Sequence, residues 1–208
     1  MFQINNFDSL NGLMYDVHHS HCRYQFEMAP ARSLTLLLLI FWLPLSATAV
    51  PALWLSGGYG PQPGDRHQSN SAIGLDWVPY HYARSNRQWL SVGASVARLH
   101  AHGQQGNEAL WALSLFPQLT LNGPLWGNHQ AFFQVRALGP TYLSDTSLGS
   151  RHQANHFAFQ AQILAGIHFG TRQQHAVAIA YRHYSNANLN QPNDGLDVPF
   201  MLSVGLTL

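Results

Sequence analysis

The chain has 208 residues with 10 Lys plus Arg against 9 Asp plus Glu, a net charge of +1, and all ten cations are arginine. Charged residues make up 9% of it, against roughly a quarter in ordinary soluble domains, while aromatics reach 12%. With no basic cluster the composition excludes a nucleic-acid protein, and with one cysteine, Cys22, it excludes a disulfide framework.

Residues 1–27 are polar and hold His18, His19 and His21 beside Cys22. Lacking a second ligand group, the cluster is not read as a metal site. The segment is expected to be a non-structural extension, because the order of a secreted protein starts at Met28. Arg32 precedes the apolar run Ser33–Leu43, which is too short to span a bilayer with comfort. Pro44 and the small residues Ser46, Ala47, Thr48 and Ala49 follow. A charged start, an apolar run and an A-x-A end describe a cleaved signal peptide over 28–49. Cleavage after Ala49 leaves 208 − 49 = 159 residues, a single domain over 50–208. That remainder is free of cysteine and carries eight arginines against six acids, a net charge of +2. A secreted chain so poor in charge must hide its surface, and lipid is the obvious place.

Period-two segments then recur to the end of the chain. Leu53, Leu55 and Tyr59 alternate with Trp54, Ser56 and Gly58. Ile73, Leu75 and Trp77 oppose Gly74, Asp76 and Val78, and Leu90, Val92, Ala94 and Val96 oppose Ser91, Gly93, Ser95 and Ala97. Trp111, Leu113, Leu115, Leu119 and Leu121 form one face of a fourth segment, Phe133 and Val135 of a fifth, and Phe157, Phe159, Ile163, Ile167 and Phe169 of a sixth. A seventh covers 175–186, and Val198, Phe200, Leu202, Val204, Leu206 and Leu208 mark the eighth. Eight such segments predict an all-β fold, an eight-stranded antiparallel transmembrane β-barrel. Its apolar face meets lipid and its small or polar face fills the lumen. A soluble barrel is the alternative, but the polar faces carry Gly, Ser, Ala, Gln and Thr where a solvated face would carry charge. Arg98, Arg136 and Arg182 fall where pairing with Asp76 in the lumen is expected. Trp77, Tyr80, Tyr82, Trp89 and Trp126 are expected at one rim, and Tyr59, Tyr142 and Tyr184 at the other.

The seventh segment leads into Tyr181–Asp197, reading YRHYSNANLNQPNDGLD. Parity places His183 and Ser185 on the apolar face with Val177 and Ile179, and Arg182 and Tyr184 on the other. Two residues along a strand rise roughly 6.6–6.8 Å with side chains pointing the same way, so the imidazole can serve as base to the hydroxyl. With both termini in the periplasm, the seventh strand carries this pair to its outer end, beside the outer leaflet. Short connections at 81–87 and 170–174 fit periplasmic turns and longer ones at 61–70, 101–107, 141–154 and 187–196 fit outer loops, while 122–129 breaks the rule.

H-Y-S-N at 183–186, the turn Gln191-Pro192-Asn193-Asp194-Gly195 and the trailing acid Asp197 resemble the lipid A 3-O-deacylase family of outer-membrane acyl hydrolases. That family carries H-x-S-N, an N-x-G turn and a Glu fourteen positions after the His; here the acid is Asp. The resemblance implies an outer-membrane esterase that removes the ester-linked 3-hydroxyacyl chain at position 3 of lipid A. Ser185 would be the nucleophile, His183 the base and Asp197 the orienting acid, with Asp194 as fallback. Asn186, Asn193 and Gly195 would support the oxyanion or shape the loop. Parity sets one difficulty, since Val198, Phe200 and Leu202 on the lipid face turn Asp197 inward unless a bulge at Pro199 intervenes. No metal or cofactor is called for. The expected partners are lipid A within lipopolysaccharide and the membrane itself, and a homodimer is left open. Two other readings compete: a phospholipid esterase using the same Ser and His, and a non-enzymatic small barrel with an adhesion or structural role. Ser95 in Gly93-Ala-Ser-Val-Ala97 lacks the last Gly of a nucleophile elbow and is read as a lumen residue. His100, His102, His168 and His175 are read as interfacial polarity. Arg151 and His152 are candidates for contact with substrate phosphates.

Overall fold

Alternation becomes strand along the whole described chain. The computed structural model describes residues 51–103 and 105–207. The extension expected over 1–27 and the signal peptide expected over 28–49 lie outside the described residues. Eight strands close into a barrel: β1 (Leu53–Pro61), β2 (Ser69–Ser85), β3 (Gln88–His102), β4 (Ala109–Trp126), β5 (His129–Leu143), β8 (Phe157–Phe169), β9 (His175–Ser185) and β10 (Leu196–Leu206). Around the wall they run β1-β10-β9-β8-β5-β4-β3-β2, and every neighbouring pair is antiparallel. The pair Leu53↔Leu206 helps to close the sheet and leave it without an edge. Two short strands, β6 (Ser147–Leu148) and β7 (Arg151–His152), form a separate hairpin inside the connection from β5 to β8.

The barrel is turned inside out relative to a soluble protein. Leu55, Ile73, Leu115, Ile179, Phe200 and Leu202 point outward and are exposed, Ile179 and Phe200 at 70%. An apolar belt of that extent would drive aggregation in water and is stable only against hydrocarbon. The small and polar positions point inward, where Ala97, Ala112, Ala176, Ala178, Ser95 and Gln134 are buried. Ser95 is thus a lumen residue.

The interior centres on one acid between two arginines. Asp76 Oδ2 lies 2.5 Å from Arg136 Nη1 and 3.1 Å from Arg182 Nη2. Arg136 Nε donates to Gln118 and Arg182 Nε to Gln162, and Arg136 also stacks over the Phe116 ring. Buried guanidinium groups need this pairing, because an isolated charge away from water is costly. Gly74 makes the room: a Cβ there would meet Arg182 Nη1 at 2.9 Å. Arg98 does not join them. It stands beside the outward Ile73 and lies over the Trp111 ring at 5.2 Å, so its face is the lipid-side one. Tyr184 likewise leaves the expected rim girdle; it points inward, fully buried, with Gln160 donating to its hydroxyl.

The two ends of the barrel differ. One carries the turns at 86–87, 127–128 and 170–174, and the pair Leu53↔Leu206 near both ends of the described chain. The other carries the connections 62–68, 103–108, 144–156 and 186–195. The apparent exception at 122–129 disappears, because β4 and β5 continue to Trp126 and His129 and leave a two-residue turn with Gly127 at φ +59°. His183 and Ser185 lie at the long-loop end of β9, since β9 begins with His175 paired to Leu206.

Candidate active site

β9 delivers the imidazole and the hydroxyl. Its outward residues are Val177, Ile179, Tyr181, His183 and Ser185, while Arg182 and Tyr184 are buried in the lumen. His183 and Ser185 therefore lie two apart on the lipid-facing side, at the rim. Beside them on β8 stand Ala161, paired with His183, and Phe159, paired with Ser185.

β10 delivers the acid, through a change of register. Asp197 pairs with His183 and Val198 with Arg182, but the next partners are Met201 and Ala180. Pro199 and Phe200 together oppose Tyr181, which is a bulge of one extra residue. Proline lacks an N–H and fits there without sacrificing a ladder hydrogen bond. Above the bulge the faces reverse: Asp197 turns toward His183, and Val198, expected on the lipid face, is inward and fully buried. β1 accommodates the bulge with glycines. A Cβ at Gly60 would meet Pro199 Cγ at 2.5 Å, and one at Gly58 would meet the Phe200 carbonyl oxygen and Met201 Cα.

The result is a hydrogen bond of 2.7 Å between His183 Nδ1 and Asp197 Oδ1. A carboxylate can only accept, so Nδ1 carries a proton, and in the neutral ring Nε2 keeps the lone pair that a hydroxyl can use. Among the described residues no hydrogen bond yet joins Ser185 to His183; such contacts often tighten only with substrate in place. Asp194, the fallback acid, is committed elsewhere, because its Oδ2 accepts from the His152 backbone N–H at 2.8 Å.

Around the acid stands a shell that local sequence patterns do not announce. The Tyr181 hydroxyl donates to Asp197 Oδ1, and Gln62 Nε2 donates to Oδ2 at 2.9 Å. Gln62, Gln68 and Asn70, from the loop after β1 and the start of β2, are buried as a hydrogen-bonded chain. Their only sequence signal is that amides at the mouth of a barrel are costly to bury unless paired.

Asn186, Asn193 and Gly195 come together in the 186–195 loop. The Asn186 backbone N–H donates to Asn193 Oδ1 at 2.9 Å, and its Nδ2 to the Asn190 carbonyl at 2.8 Å. With both kinds of donor engaged inside the loop, the geometry favours loop support over oxyanion binding for Asn186. Gly195 has φ +61°, and a Cβ on it would lie 2.9 Å from His183 Cε1, so its hydrogen is part of the seat of the imidazole. The β6–β7 hairpin braces this loop from the side. Arg151 Nε donates to the Gly195 carbonyl at 3.2 Å, and Gln153 bridges to Asn193. Its far side is pinned by Ser150, whose hydroxyl donates to Asp65. That bond and the His67 backbone N–H hold the Asp65 carboxyl below its ordinary range. Among the described residues no group of three or more His, Cys, Asp or Glu is placed to hold a metal ion. His100 and His102 stack on each other at the outer rim, with Ser71 bonded to His102, and His168 is buried in the lumen against Phe132.

An apolar groove of about 570 Å³ opens on the outer wall directly below the site. Tyr181, Ile179, Phe200, Leu202, Ile163 and Phe133 line it, so an extended hydrocarbon chain could lie against the barrel with its polar end at the rim.

Three comparisons bear on this arrangement. The family model described as Lipid A 3-O-deacylase (PagL) matches residues 66–207. The lipid A deacylase PagL of Bordetella bronchiseptica is 28% identical over 98 residues, which cover 47% of this chain and 51% of the relative. The protein of the same name from Pseudomonas aeruginosa is 37% identical over 65 residues, 31% of this chain and 36% of the relative. The matched stretches thus span about half or less of these curated relatives. The crystal structure of the outer membrane enzyme PagL superimposes with a TM-score of 0.56 at 20% identity, covering 74% of this chain and 99% of that one, which is a likeness of fold.

Proposed function

The chain belongs to the lipid A 3-O-deacylase (PagL) family, and on that premise we propose that it is an outer-membrane esterase acting on lipid A. Its reaction would be hydrolysis of the ester linking a 3-hydroxyacyl chain to position 3 of the sugar. The observation that carries the reading is the hydrogen bond from His183 Nδ1 to Asp197, on the lipid-facing side of the rim, with Ser185 two residues along the same strand.

Ser185 Oγ attacks the ester carbonyl carbon while His183 Nε2 takes its proton. Asp197 keeps the imidazole in the tautomer that can accept and stabilises the cation formed. The tetrahedral intermediate expels the sugar oxygen, to which His183 returns the proton, leaving an acyl group on Ser185. Water, deprotonated by the same imidazole, releases the acid and restores the hydroxyl. The groove beneath Tyr181 and Phe200 suits the acyl chain, and the outward face of the rim suits a substrate that never leaves the membrane. Arg151, in the braced hairpin beside the loop, is available for a substrate phosphate. Residues 28–49, read as a signal peptide, supply the export that this location requires.

Expression in a host whose lipid A is intact, followed by mass spectrometry of lipid A, tests the proposal. Loss of one 3-hydroxyacyl chain is expected with the natural chain and not with Ser185→Ala. Unchanged lipid A in both would favour a catalytically silent barrel, and loss of an acyl chain from phospholipids alone would favour the phospholipid esterase.

A further inference from the structure

We infer that Gln62 is a positioning residue for the acid of this site, holding the Asp197 carboxylate against His183 from a neighbouring loop. The inference rests on the Ser185–His183–Asp197 reading and deepens it. Gln62 follows β1, is buried, and grips Asp197 twice: Nε2 donates to Oδ2 at 2.9 Å, and Oε1 accepts the Asp197 backbone N–H at 3.0 Å. One amide thus fixes both the height of the main chain and the rotation of the carboxylate about its own axis.

Its orientation is itself determined. Asn70 Nδ2 donates to Gln62 Oε1 at 2.6 Å and to the Asp197 carbonyl at 2.9 Å. With Oε1 receiving two donors, Nε2 is the atom that must face the acid, and no flipped amide satisfies the same partners. Asn70 is held in turn by Gln68 Nε2 at 2.8 Å, and Gln68 Oε1 accepts from the Ser150 N–H at 2.9 Å. The chain of amides therefore runs from the acid to the β6–β7 hairpin.

Such a grip answers a need that the acid creates. Asp197 sits directly across the ladder from His183, so its short side chain reaches Nδ1 without crossing a gap. Rotation of the carboxylate about its Cβ–Cγ bond would take Oδ1 out of line with Nδ1. Tyr181 and His183 both hold Oδ1, and neither engages Oδ2. Gln62 anchors that second oxygen, as the one donor to Oδ2 among the described residues.

The test is a double-mutant cycle on detergent-folded full-length protein, reading lipid A deacylation in the natural chain, Gln62→Leu, Asp197→Ala and the double variant. Gln62→Leu is expected to lower kcat about tenfold, the size set by one lost hydrogen bond to a charged group, with KM nearly unchanged. In the Asp197→Ala background it is expected to cost nothing further, because a residue acting through the acid has nothing left to act on. Gln62→Glu, nearly isosteric, keeps an acceptor and loses the donor, and is expected to lose at least as much. It also stands in should the leucine variant not fold. An unimpaired kcat in either, or equal fold losses in both backgrounds, overturns the inference. Ser185→Ala is run alongside. If that variant is active the site reading falls and Gln62's role with it, whereas an inactive Ser185→Ala beside an unimpaired Gln62→Leu overturns only the role of Gln62.

Discussion

Gly195 is held to glycine by two separate demands. Its φ of +61° lies in the left-handed region, which costs an L residue with a Cβ roughly 1–2 kcal/mol. The second demand is space, since the added carbon would sit 2.9 Å from His183 Cε1, closer than van der Waals contact allows. A ring pushed away from residue 195 strains its 2.7 Å bond to Asp197. Gly195→Ala should therefore leave the barrel folded while lowering kcat about 100-fold, because a displacement near 1 Å is enough to spoil alignment. Turnover on detergent-folded protein, with thermal unfolding as the folding check, decides it. Full activity in this variant would mean that the imidazole is not seated where the loop places it. The residue scale is also where sequence reading runs out. The face of His183 and Ser185 was legible, because period two is a local property of β9. Gln62 lies 135 positions from Asp197, and nothing local marks a buried amide as the partner of a distant acid.

At the scale of the strand, the site depends on one irregularity. Strict alternation carried back from Leu202 through Phe200 and Val198 turns Asp197 into the lumen, and the bulge at Pro199 and Phe200 reverses it. The proline hinted at the place, but which residues the partner strand skips is a matter of register between β9 and β10, and register is decided by packing. Part of that packing is in β1, where Gly58 lies against the backbone of Phe200 and Met201. Gly58→Ala puts a methyl against main-chain atoms that cannot rotate away, so β10 must move just below the acid. Overpacking of this kind costs about 1–3 kcal/mol. A lower unfolding temperature and a reduced kcat are expected together. The neighbouring Gly57→Ala is the control, since a Cβ there meets nothing within 4 Å, and its stability should match the natural chain. Equal behaviour of the two variants would show that the bulge does not need the glycine. The ends of β4 and β5 carry the same lesson. The polar and Pro/Gly-rich stretch at 122–129 reads as a long connection, yet ladder pairing continues through Leu125↔Gln130 and Trp126↔His129.

For the whole molecule, closure turns a question of chemistry into one of sidedness. An eight-stranded antiparallel wall with its described ends near one rim must place alternate connections at opposite ends, so the 62–68, 103–108, 144–156 and 186–195 loops share a side with His183, Ser185 and Asp197. The 86–87, 127–128 and 170–174 turns share the other. The outward apolar belt between them fixes the barrel in a bilayer but not which way up it stands. The proposed reaction does fix it, because lipopolysaccharide occupies the outer leaflet, and a rim facing the periplasm would meet phospholipid instead. Past Cys22 the chain has no cysteine, which makes the orientation measurable with single introduced thiols. Leu189, exposed at 64% in the long loop after β9, and Arg172, exposed in the turn before it, lie at opposite ends. Leu189→Cys should react with a membrane-impermeant maleimide on intact cells, and Arg172→Cys only after the outer membrane is opened. The inverse pattern would leave the geometry of the site untouched but turn it toward the wrong lipid, and deacylation of lipid A would have to be abandoned for a reaction on the inner leaflet.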